Sequence, residues 1–168
     1  DLTVTGVQTC ALPIYSESLI AILDMDKIML QSKAGKSITI QLEKLHKKNI
    51  DTFKKKEEEL KNKESSIVSQ KNVLTKEEFE KKINLLRQEA NEYRIKRRDL
   101  INSLTKKRVD AQNKLIKAIN PILADYSKKN SISMIIQKKN IIIGKSELEI
   151  TNDILKILDK SLKTIDLN

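Results

Sequence analysis

Tryptophan is absent from this sequence, and cysteine, histidine, glycine and proline are nearly so, with one Cys, one His, three Gly and two Pro in 168 residues. Each shortage excludes something. A single cysteine, Cys10, rules out an intramolecular disulfide framework. The lone histidine, His46, has no Cys or second His near it and reads as a solvated helix residue, because a metal centre needs several ligands. So little glycine leaves no Walker-type loop to cradle phosphates. No stretch approaches the ~20 apolar residues that a helical membrane span requires. No nucleophile–base pair and no metal-ligand spacing appears, so an enzyme is the least supported class, and no cofactor or metal is expected. Asp24 and Asp26 read as a strand end and a helix cap rather than an acid/base pair.

What is present is charge. Charged residues make up 33% of the chain and aromatics 3%. That blend suits long solvated helices, which bury only a narrow apolar seam. The formal charge of +10 is unevenly placed, since the stretch from Lys36 to Lys128 holds 24 Lys/Arg against 14 Asp/Glu and the remainder balances at 9 of each. A field of this kind attracts acidic polypeptide, anionic lipid or nucleic acid without choosing among them. Residues 1–16 are set aside: Asp1–Ile14 resembles translated sequencing-adapter text, with neither a basic start nor a long apolar run. A native leader or signal peptide is therefore not legible here.

The remaining pattern changes period four times. Leu19–Met25 is a short apolar run expected to form a strand, over about 19–25. Asp26 is expected to cap a short helix over Lys27–Ala34, with Gly35 as its stop. A seam stepping by three and four then runs through Leu42, Leu45, Asn49, Phe53, Lys56, Leu60, Lys63, Ile67, Gln70 and Leu74. After a break near 71–75, Thr75-Lys-Glu-Glu78 has the form of a capping box. A better-filled seam follows: Phe79, Ile83, Leu86, Ala90, Tyr93, Arg97, Leu100, Leu104, Arg108, Ala111, Leu115, Ala118 and Ile122, with a kink expected at Pro121. Two long helices joined by so short a link pack antiparallel.

Beyond Lys129 the β-branched runs 132–137 and 141–144, separated by Gln137–Asn140, predict a hairpin. Thr151 is expected to cap a closing helix over about 152–164. The expected fold is α+β, mostly α: a helical hairpin limb (36–129) projecting from a small β-rich body (17–35 and 130–168). A body so small, with open strand edges, is expected to close against copies of itself through Ile20, Ile22, Ile135, Ile136 and Ile142.

Several strings in this order are similar to the Skp (OmpH-like) family of periplasmic chaperones. They are Ile20–Met25, Ile132–Gln137, Asn140–Ile143 and Ile150–Leu155, with a Lys/Glu/Gln-rich helical pair between them. The resemblance spans about 20 to 160. It implies a Gram-negative periplasmic homotrimer whose sheets form a central barrel. Its hairpins would enclose unfolded outer-membrane proteins and prevent their aggregation without ATP. It also implies a lipopolysaccharide-binding cluster, with Lys106 and Lys107 at the basic pair and Lys96 at a lower lysine; the fourth, polar position falls near Ala118 and departs from the pattern.

The residues themselves suggest where clients would be held. Arg94, Lys96, Arg97, Arg98, Lys106, Lys107 and Arg108 form basic runs on the returning helix. Ile95, Ile101 and Val109 lie off the seam among them. A charge run is ordinarily a solvated face; here it carries the whole charge excess, which favours contact with a client or anionic lipid. Polar seam positions such as Asn49 and Lys63 should leave the limb flexible. Two rival readings stand: phosphate neutralisation of a nucleic acid, disfavoured by interleaved acids and few stacking aromatics, and a structural coiled-coil spacer, which would not need the terminal strands.

Overall fold

The computed structural model describes residues 19–167; the expected leader, residues 1–16, lies outside them. The described order is β1 (Leu19–Leu23), α1 (Met25–Gln31), α2 (Lys33–Ser69), α3 (Lys76–Lys129), β2 (Ile132–Gln137) and α4 (Thr151–Ser161), with short 3-10 turns at Lys138–Asn140 and Ser146–Leu148. The chain is mostly helical with one two-stranded sheet.

The first strand buries Ala21, Ile22 and Leu23 and stops at Asp24. Asp24, not Asp26, caps α1: its carboxylate accepts the Lys27 N–H at 2.9 Å, and Asp26 stands inside the first turn. Nor is Gly35 a stop. The chain breaks at Ser32, whose extended backbone (φ −63°, ψ 152°) ends α1 and whose hydroxyl accepts the Gly35 N–H to begin α2. Gly35 is instead the residue that lets the two helices meet, because a Cβ there would lie 1.9 Å from the Met29 carbonyl oxygen.

The limb follows from the two seams. The capping box at Thr75 is complete, with Glu78 and Thr75 each satisfying the other's backbone N–H. At 54 residues, α3 is about 80 Å long at 1.5 Å per residue, and it passes through Pro121 without ending. The helices are tied across by Lys63–Glu89 at 2.6 Å and Arg97–Glu57 at 3.0 Å. Lys82 adds a bond to Gln70 at 2.7 Å. Seam positions Leu42, Ala111 and Leu115 are buried, and most of the others are half-buried; Lys63, Arg97 and Arg108 reach into solvent.

The two strands pair in parallel, Ile20 opposite Met134 and Ile22 opposite Ile136, with the whole limb as the crossover. The expected antiparallel hairpin of 132–137 with 141–144 does not form. Primed hairpin turns need residues at positive φ, and Gln137–Asn140 contains no glycine; the chain takes a 3-10 turn there, with the Ile141 N–H bonded to the Lys138 carbonyl at 3.0 Å. Ile142 and Ile143 are left projecting into solvent. The far edge of β1 is met by a single bridge to Glu149, and the Ile150 N–H bonds the Ile22 carbonyl at 2.9 Å.

Thr151 is not the cap of the closing helix either. Ile150 holds that position without a side-chain bond, and the buried Thr151 hydroxyl accepts the Asp24 N–H. The helix ends at Ser161, three residues short of the expected end, and the chain continues without helix or strand to Leu167. One apolar cluster joins body and limb base, drawing on Ile28, Ile38, Leu115, Ile119, Ile154 and Leu158. Each of the fully buried side chains contributes roughly 1.5–3 kcal/mol by leaving water.

Candidate functional site

Three clefts lie along the limb and its junction with the body. At mid-limb, Phe53 on α2 and Tyr93 on α3 meet edge-on, with ring centroids 6.3 Å apart at 73°. The Arg97 guanidinium lies 5.4 Å from the Phe53 centroid and also pairs with Glu57, which accepts the Tyr93 hydroxyl. Burial and that acceptor raise the Tyr93 pKa above the ordinary phenol value, so the hydroxyl stays a donor. A cleft of about 390 Å³ opens beside this cluster, lined also by Lys56, Glu89, Lys96 and Leu100. The Lys63 ammonium holds the Glu89 carboxyl below the usual glutamate range.

Lower down, a cleft of about 430 Å³ lies between α1, α2 and α3, lined by Met29, Ile38, Leu42, His46, Leu104 and Arg108. Where limb meets body, an open cleft of about 600 Å³ is lined by Met25, Met29, Ile116, Leu123 and Ile135. All three are lined by mixed apolar and polar side chains rather than convergent catalytic groups. Among the described residues no three His, Cys, Asp or Glu side chains are grouped to hold a metal ion, and no helix is long and apolar enough to cross a membrane.

The structure separates the basic residues singled out above. Arg94, Lys96, Lys106 and Arg108 are exposed and form no ion pair with described residues, while Arg98 reaches its neighbour Asp99 at only 3.8 Å. Arg97 is committed to Glu57 and Phe53. Lys107 is half-buried, and its ammonium donates to the backbone carbonyl of Leu167. Ile95, Ile101 and Val109 are exposed, as expected of off-seam residues. In the body, Ile22 is buried, Ile135 and Ile136 are half-buried, and Ile20 and Ile142 face solvent.

The tail after α4 is what sequence reasoning missed. Ile165 and Leu167 are buried against the limb base, and Gln41 grips their backbone. The alternation Ile165-Asp-Leu167 was the available signal, masked by extending the closing helix to 164.

No curated protein matches the chain. Among solved structures, a candidate outer membrane chaperone (OmpH-like) from Caulobacter crescentus CB15 superposes with a TM-score of 0.83 at 16% identity, over 98% of this chain and 95% of that one. At that identity the likeness establishes the fold. The sequence itself matches the family "Outer membrane protein (OmpH-like)" over residues 19–158, from the first strand to near the end of the closing helix. The chain therefore belongs to the OmpH-like family.

Proposed function

We propose that this protein is an ATP-independent holdase chaperone that keeps unfolded outer-membrane proteins from aggregating in the periplasm of a Gram-negative bacterium. The observation that carries the reading is the limb surface, where Arg94, Lys96, Lys106 and Arg108, without an ion pair among the described residues, stand among exposed Ile95, Ile101 and Val109. Many weak contacts of mixed kind suit a client with no fixed shape, and avidity replaces a tight pocket. Mobile Lys and Arg stems cover apolar surface while their charges stay in water. Lipopolysaccharide or another anionic lipid would meet the same basic face. Family membership and the named role of the Caulobacter structure support the chaperone class.

The body is proposed to form a homotrimer through the outer edge of β2, which no described strand covers, and the exposed Ile142 and Ile143. Copies joined there would carry their limbs around a shared space.

The test mixes residues 19–168 with an unfolded β-barrel protein and, separately, with duplex DNA, following light scattering and complex mass. Suppressed aggregation that weakens with salt supports the holdase. No suppression together with tight, salt-sensitive DNA binding would sink it.

A further inference from the structure

We propose that the face of α2 and α3 that the chain's own tail covers at the limb base is a binding groove for an extended polypeptide segment. The inference rests on the holdase reading and assigns a client site to it.

The tail is held as an unfolded peptide would be. It leaves the helix through an extended Leu162 and runs on without helix or strand, and its side chains alternate, with Ile165 and Leu167 buried and Thr164 and Asp166 exposed. Ile165 and Leu167 enter the same buried cluster as Leu42. The backbone between them is gripped by one amide: Gln41 Nε2 donates to the Ile165 carbonyl at 2.7 Å, and Gln41 Oε1 accepts the Leu167 N–H at 3.4 Å. That two-point contact reproduces what a neighbouring β-strand would offer. Two ammonium groups of α3 take further carbonyls, Lys107 that of Leu167 and Lys114 that of Asp166 at 3.1 Å.

None of these four polar contacts reads a side chain. The groove asks only for apolar residues two apart on an extended backbone, whose acceptors three limb side chains satisfy. Strands of an unfolded β-barrel have that alternation. The tail is thus a pseudo-client, and a segment of client displaces it. Such a competitor in the same chain lowers apparent affinity by the fraction of time the groove stands open.

The test uses the full chain carrying Ile165→Ser and Leu167→Ser, which frees the groove, and two fluorescein-labelled peptides. One has the sequence of residues 161–168; the other is an unrelated octamer with alternating apolar residues. By fluorescence anisotropy both should bind the opened variant about 10-fold or more tightly than the unaltered chain. Adding Gln41→Ala should remove about 10-fold of that gain. A helical, opened variant with no gain overturns the groove, and binding of the tail peptide alone overturns the client assignment. Affinity of the unaltered chain that rises on dilution would place a second copy's tail there, with the same consequence.

If the opened variant does not fold, amide exchange on the unaltered chain decides. Excess peptide should strip protection from the Leu167 N–H, and unchanged protection overturns the proposal. Failure of peptide binding with aggregation still suppressed sinks the groove and spares the holdase; the reverse pattern does the opposite.

Discussion

The hydroxyl of Thr151 accepts the backbone N–H of Asp24 at 2.9 Å, joining residues 127 apart in sequence. One end of the bond closes β1, and the other opens α4. Asp24 also caps α1 through its carboxylate, so a single residue orients a strand, a helix and the closing helix. The contact is the clasp of the body, and the limb hangs from it.

Thr151→Val keeps the shape and removes the acceptor, leaving the Asp24 N–H without its partner. The expected cost is about 1–3 kcal/mol, the penalty for an unsatisfied group at a buried site. Thr151→Ser should recover most of it. Urea unfolding followed by helicity checks both, and a Val variant as stable as the Ser variant would contradict the clasp.

Gly35→Ala should be far more damaging than the same added methyl at Gly144. Its Cβ would sit 1.9 Å from the Met29 carbonyl oxygen, a backbone atom that moves only if α1 moves. Overpacking of well-packed sites costs typically about 1–3 kcal/mol, and this site should reach the upper end. Gly144→Ala is the control, since the nearest atom there, at 2.8 Å, is the tip of the Ile22 side chain. Thermal unfolding should separate the two variants clearly.

These two sites mark where sequence reading ends. The limb was legible because its signal is periodic: seam residues from Leu42 to Leu74 and from Phe79 to Ile122 recur at helical spacing, and Thr75–Glu78 carries its own cap chemistry. In the body the two strands and the closing helix were legible, but their pairing and caps were not, because the decisive partners are non-local. Asp159 lies 126 residues from the Lys33 N–H it accepts at 2.7 Å, and nothing local says that Thr151 serves Asp24 rather than its own helix. The run 141–143 has strand composition but lacks the turn that would fold it back onto β2. Among the basic residues, charge identified the limb; only geometry separated exposed Lys106 from Lys107, which is spent on the tail.

Ser131, between α3 and β2, has φ 53°, the left-handed region that side chains with a Cβ disfavour. Ser131→Gly should therefore stabilise the protein by up to about 1 kcal/mol, less the extra freedom glycine gives the unfolded chain. Ser131→Val should destabilise it. Calorimetry of the three proteins tests the ordering, and a glycine variant less stable than serine would overturn it.

Ile142 has a relative exposure of 104%, an apolar side chain wholly in water on the segment that leads from β2 to the Glu149 bridge with β1. If copies join there, Ile142→Lys should break the assembly with little effect on the fold of each chain. Light scattering should fall to the single-chain mass of 19.3 kDa while helicity stays unchanged. An assembly of undiminished mass would move the contact elsewhere.

The mid-limb ties carry a pH dependence whose sign follows from their shifts. Hydrogen bonding to Lys63 lowers the Glu89 pKa below its ordinary 4.5, aided by the charge of Lys56. A carboxyl with a depressed folded value binds protons more readily unfolded. Its contribution is present above 4.5 and disappears as pH falls through the lowered value. Lys56 behaves oppositely: bonding to Glu59, then the charges of Glu59 and Glu89, raise its pKa above 10.5, so its contribution holds below 10.5 and is lost as pH rises through the raised value. Both groups are half-buried at the surface of the limb and still reach solvent, so salt should weaken each. The limb should be most stable between these arms, and acid should loosen the Lys63–Glu89 crossing only as pH falls through the lowered Glu89 value. Melting temperature measured from neutral pH down through the glutamate range should fall less steeply in Glu89→Gln than in the unaltered chain. Equal slopes would show that Glu89 does not fasten the two helices.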